Sequence, residues 1–114
     1  MGRLTTHVLD TAQGRAAMGV KIELARLEGS SVQHLETFHT NRDGRTDAPL
    51  LSDERFRAGA YQLVFHIGEY FRSQGFAAEF LEQVPVRFTI GDTAQHYHVP
   101  LLCSPWSYTT YRGS

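Results

Sequence analysis

The sequence predicts an all-β (mainly β) fold: a two-sheet β-sandwich of seven to eight short strands with one short helix. Three observations lead there. Short stretches of period-two alternation recur along the chain, most clearly where Val20, Ile22 and Leu24 oppose Lys21 and Glu23. Turn chemistry separates these stretches at 11–14, 28–31, 41–45 and 91–92. Only residues 69–74 read as a helix, with Gly75 as its C-cap. Many short strands with frequent turns form a sandwich or a barrel, and a chain of 114 residues with one helix suits the sandwich.

Taken in order, residues 3–10 alternate. Leu4, Thr6 and Val8 face one way, and Thr5, His7 and Leu9 the other, so His7 points out of the core. Residues 15–18 are an irregular linker or strand entry, and 19–27 form the clearest strand. Residues 32–41 follow as a strand whose inward face is ambiguous, because Leu35 and Phe38 differ in parity. Asn41, Asp43 and Gly44 tolerate the left-handed conformations of a tight turn, from which Arg45 emerges. A buried strand spans 59–67 with Tyr61, Leu63, Phe65 and Ile67 on one face. Phe76 and Phe80 are expected against the sheet edge. Pro85 opens a strand with Val86, Phe88 and Ile90 inward. Residues 96–102 and 107–110 make the last two strands, broken by Ser104-Pro105.

Length and charge bound the function. The chain is expected to be one domain, 1–114. Folding a chain of this size buries roughly two-thirds of the unfolded surface, enough for a core without a structural metal. A net charge of −1 argues against a nucleic-acid surface. The single cysteine, Cys103, rules out an intrachain disulfide and a multi-cysteine metal site, and reads as a small buried apolar residue. Residues 1–7 carry no secretory pattern, and no apolar run reaches the ~18 residues of a membrane span. The cytoplasm is the expected location, with neither nucleic acid nor membrane as partner.

Few side chains could carry chemistry. His7 lies on an outward strand face, His96 and His98 share a face, Arg45 follows a tight turn, and Tyr108, Tyr111, Arg112 and Ser114 crowd the chain end. A neutral histidine takes a proton from water near pH 7. An arginine holds carbonyl or anionic oxygens with paired donors. Together they suit hydrolysis of a small anionic substrate. Each also has a plain structural role: solvated strand histidine, turn arginine, packing tyrosine. His96 and His98 are half a zinc site without a third ligand, Asp92 being distant. Nothing local holds the Ser114 hydroxyl against a base. His34, His39 and His66 carry no supporting pattern.

The chain resembles the 5-hydroxyisourate hydrolases of the transthyretin-like family along nearly its whole length. The resemblance rests on Leu4-Thr5-Thr6-His7-Val8-Leu9-Asp10, Gly14-Arg15, Asp43-Gly44-Arg45, the strand 86–90, His96-Tyr97-His98-Val99-Pro100-Leu101-Leu102 and the closing Tyr111-Arg112-Gly113-Ser114. It implies a transthyretin sandwich, a homotetramer built as a dimer of dimers, and active sites at the dimer–dimer interface. It implies His7, Arg45, His98 and Ser114 as catalytic, and His7, Arg45, Tyr111, Arg112 and Gly113 as substrate-binding, with no metal or organic cofactor. The implied reaction is hydrolysis of 5-hydroxyisourate in urate breakdown. The alternative is a small-ligand carrier of the transthyretin type, which requires neither the histidines nor the tail. One departure stands out: the family commonly has prolines where this chain reads Arg15-Ala16-Ala17-Met18-Gly19.

Overall fold

The computed structural model describes all 114 residues. Two four-stranded sheets face each other. Strand β1 (Leu4–Asp10) is followed by the two-residue β2 (Arg15–Ala16), β3 (Lys21–Glu28) and β4 (Ser31–His39). A 3₁₀ turn at Asp53–Arg55 precedes β5 (Gly59–Phe65), helix α1 (Ile67–Ser73), β6 (Val84–Ile90), β7 (Tyr97–Cys103) and β8 (Tyr108–Thr110). One sheet has the order β2-β1-β7-β8 and the other β4-β3-β5-β6. All pairings are antiparallel except β1 with β7, which run parallel. The expected two-sheet sandwich with one short helix is observed.

Alternation places the core. Leu4 and Val8 of β1, Ile22 and Leu24 of β3, Tyr61, Leu63 and Phe65 of β5, and Leu101 of β7 are buried between the sheets. Cys103 is fully buried as expected, and burial with Asp10 close by pushes its thiol pKa up to about 12. The stretch lacking prolines has a defined path. Arg15–Ala16 pairs with β1, and the N–H of buried Ala17 donates to the Val8 carbonyl at 2.9 Å.

Four expectations from the sequence are resolved or corrected, each for a physical reason. The ambiguous parity of Leu35 and Phe38 comes from a bulge. Leu24 pairs with Glu36 but Ala25 with His34, so Leu35 is an extra residue that shifts the face of β4. The strand expected to reach Ile67 stops at Phe65. His66 caps α1, and Ile67 is buried as its first residue, so the helix begins two residues before the expected Glu69. Gly75, at φ 92°, closes α1 as foreseen: its N–H donates to Arg72 and that of Phe76 to Phe71. Phe76 packs edge-on against Phe71 with centroids 5.6 Å apart. Phe80 does not join it. Phe80 is 67% exposed and stacks on Trp106, itself 66% exposed. β6 begins at Val84 rather than Pro85, and as a sheet edge it leaves Val86 and Phe88 only partly buried.

Candidate active site

The outward face of β1 carries Thr5, His7 and Leu9, all half-buried, while Leu4, Thr6, Val8 and Asp10 point inward. Parallel pairing sets Thr5 beside His98 and His7 beside Pro100. The Thr5 hydroxyl oxygen lies 2.8 Å from His98 Nδ1. His7 follows two residues along the same face, roughly 7 Å further on.

The other edge of β1 holds Arg45 in place. The Val8 N–H donates to the Gly44 carbonyl at 2.8 Å, and Leu4 exchanges hydrogen bonds with Leu50 and Leu51. The turn is built on Asn41, whose side-chain oxygen accepts the Asp43 N–H at 2.9 Å and whose carbonyl accepts the Gly44 N–H at 2.9 Å. Gly44 sits at φ 75°, and a Cβ there would lie 2.5 Å from the Val8 oxygen. Only glycine lets this turn lie flat on β1 and deliver Arg45 next to the histidines. The Arg45 side chain is exposed.

The chain end is docked, as its composition suggested. The Gly113 N–H donates to the His98 carbonyl at 2.8 Å. A Cβ at Gly113 would come within 2.6 Å of His98 Cδ2, so bare backbone lies against the imidazole. The Arg112 guanidinium covers the Tyr97 ring at 4.3 Å and donates to Gln95 Oε1 at 2.7 Å and to the His96 carbonyl at 3.1 Å.

These pieces enclose an open cleft of about 480 Å³ on the outer face of the β1–β7 pair, lined by Arg45, His96, His98 and Ser114 and also by Arg3 and Thr5. His7 does not line the cleft; its ring packs beside Gly44, in the turn that delivers Arg45. The imidazole pKa of His98 is lowered from its ordinary value by burial first, then by the charges of Arg45 and His7. That of His7 is lowered by burial and by Arg45, with the backbone and carboxylate of Asp43 pulling the other way. Both rings are therefore biased toward the neutral form that accepts a proton.

Of the residues singled out from sequence, His98, Arg45, His96 and Ser114 line one cleft and Gly113 supports His98, whereas His7 lies outside its lining, near enough for its charge to act on His98. Tyr111 and Arg112 do not line this cleft. They border a separate cavity of about 240 Å³ with Val86 and Phe88, because the Gly113–His98 bridge turns the preceding residues toward β6. Sequence reasoning missed Arg3 and Thr5. Period-two spacing already put Thr5 on the face of His7, but its partner His98 lies 93 residues away. No three His, Cys, Asp or Glu side chains converge as a metal-binding set.

The sequence profile described as HIUase/Transthyretin family matches residues 4–113. A 5-hydroxyisourate hydrolase 2 from Rhizobium meliloti (strain 1021) is 60% identical over 116 residues, covering 99% of this chain and 97% of the relative. The structure of Klebsiella pneumoniae 5-hydroxyisourate hydrolase superposes with a TM-score of 0.84 at 37% identity, covering all of both chains. An (S)-allantoin synthase crystal structure gives a TM-score of 0.92 at 45% identity over 99% of this chain, which spans only 44% of that longer one.

Proposed function

The chain belongs to the HIUase/Transthyretin family, and on that premise we propose that it hydrolyses 5-hydroxyisourate to 2-oxo-4-hydroxy-4-carboxy-5-ureidoimidazoline, a step of urate breakdown. The observation that carries this is the convergence of His98 and Arg45 with Ser114 of the chain end around one cleft, with His7 near enough for its charge to act on His98. Water attacks the ring carbonyl while a neutral histidine, His98 or His7 beside it, takes the proton. Arg45 holds the developing oxyanion, a contribution of ~3–4 kcal/mol in comparable sites. The carbonyl carbon–nitrogen bond breaks, the ring nitrogen leaves with a proton, and the carbonyl becomes a carboxylate. Ser114, at the cleft wall, hydrogen-bonds substrate or water. An activated cyclic amide needs no metal or organic cofactor for this step, only a positioned water.

Residues 1–114 act as one transthyretin-like hydrolase domain in the cytoplasm, assembled as a homotetramer, a dimer of dimers, that closes the cleft. The openness of the cleft and the exposed stacked pair Phe80 and Trp106 support an assembly. Tyr111, 57% exposed on the far side of the tail, and Arg112 then act by shaping and anchoring the chain end.

The test is ultraviolet decay of 5-hydroxyisourate freshly generated from urate, with and without the protein. Acceleration by wild type is expected; a folded wild type without it removes the hydrolase. Light scattering tests the assembly, and a stable monomer with full activity rejects the interface site.

A further inference from the structure

His98 is held on two sides. Its ring rests against the Gly113 backbone, and its only side-chain hydrogen bond runs from Nδ1 to the Thr5 hydroxyl, 2.8 Å away. Thr5 and His98 are also direct partners in the β1–β7 register, so the backbone fixes both ends of that bond. We propose that Thr5 is a positioning residue whose hydroxyl accepts the Nδ1–H of His98, fixing the tautomer that presents an unprotonated Nε2 to the cleft.

A threonine hydroxyl can donate or accept, so distance alone does not choose the tautomer. Charge does. Arg45 lines the same cleft as His98 and is the strongest charge acting on the ring. A cation there favours the tautomer that turns a lone pair toward the cleft and disfavours one that turns an N–H toward it. With Nε2 as the lone pair, the proton sits on Nδ1 and Thr5 accepts it.

The partner's neutrality matters as much as its position. In the serine-protease arrangement a carboxylate orients the histidine and also stabilises the imidazolium. A hydroxyl orients the ring without rewarding its protonation. Burial and the neighbouring cations lower the pKa of the ring further. The outcome is an oriented base that keeps its lone pair at mildly acidic pH.

The catalytic consequence rests on the hydrolase reading, but the tautomer can be measured without activity. Nitrogen-15 NMR of the imidazoles is expected to show His98 protonated at Nδ1 in the wild-type protein. In Thr5→Val the signal should move toward the Nε2–H form favoured by a free imidazole. Valine keeps the shape and suits an outward strand position, so the fold is retained. Thr5→Val should lower kcat about tenfold with KM nearly unchanged, in line with other residues that fix a histidine tautomer, and Thr5→Ser should restore most of it. Thr5→Asp should move the acid limb of kcat/KM to higher pH. An Nε2–H signal in wild type, or a valine variant matching wild type in tautomer and kcat, overturns the proposal. Absence of hydrolysis by wild type removes the hydrolase and leaves the NMR result to decide the role of Thr5.

Discussion

His66 follows the end of β5 and His98 is the second residue of β7, and their surroundings are opposite. His66 caps α1 at 6% exposure. Glu23 Oε1 lies 2.6 Å from its Nε2 and Glu69 Oε2 3.3 Å from its Nδ1. Carboxylate oxygens beside both nitrogens tie β3 to the helix through this ring. His98 has a neutral hydroxyl at one nitrogen, an arginine and a second histidine nearby, and an open cleft. Carboxylates fasten the first ring, whereas cations and a hydroxyl leave the second able to take a proton. What surrounds a histidine separates an anchor from a base.

The largest expected effects test the catalytic half of that contrast. His98→Ala and Arg45→Ala should each lower kcat/KM by about 10²-fold or more. Arg45 makes no side-chain hydrogen bond and is exposed, so its removal should leave Tm within a degree or two, read by calorimetry beside the decay assay. A large Tm loss in Arg45→Ala would make it a structural residue and blur the contrast.

Gly113→Ala comes next, with about a tenfold loss of turnover expected. Its Cβ would sit 2.6 Å from His98 Cδ2, so either the tail lifts or the ring turns away from Thr5. Tm should barely change, because residues 111–114 contribute nothing to the core. Normal activity in this variant would mean that the tail does not hold the ring.

The same contrast shows what the amino-acid order could reveal. The inward faces of β1, β3 and β5 follow from period-two spacing, and they matched. So did the Asn41–Gly44 turn that projects Arg45, since its residue types dictate its backbone. The bulge at Leu35 escaped, because an extra residue is invisible until the partner strand is known. His66 looked featureless for a similar reason: Glu23 is 43 positions away, and only the sheet brings it near. Thr5 was overlooked because a hydroxyl gains meaning from the group it faces. The family resemblance groups Tyr111 and Arg112 with the site, whereas here the backbone bridge at Gly113 leaves them lining a separate cavity.

The pH dependence sharpens the contrast by a smaller amount. A base whose pKa is lowered keeps its lone pair to more acidic pH, so the acid limb of kcat/KM should fall below the ordinary histidine value of 6.5. Removing the Arg45 charge takes away one cause of the lowering, and the limb in Arg45→Ala should move upward. The stability linkage has a definite sign. Both His7 and His98 are depressed in the fold, so the unfolded chain binds the extra protons first. Stability should decline as pH falls below 6.5 and level off once the folded rings are also protonated. A limb above 6.5 would contradict the assigned surroundings.

The smallest expected effect on turnover belongs to His66→Ala, which should stay within about twofold of wild-type kcat and KM while losing stability. The carboxylates it leaves are partly solvated, Glu23 at 34% and Glu69 at 62% side-chain exposure, so water takes over much of the lost attraction. That limits the ionic part to about 1 kcal/mol. The ring itself is nearly buried, and its removal adds a packing cost of about 1 kcal/mol. Together these correspond to a Tm fall of roughly 4–8 °C per kcal/mol for a chain of this size, toward the lower end for 114 residues. His66→Phe separates the two parts, since it restores packing without the ion pairs and should recover about half the loss. Should His66→Ala instead silence turnover at unchanged Tm, a carboxylate-bound histidine would be doing the work assigned to His98, and the rule drawn from the pair would fail at its first use.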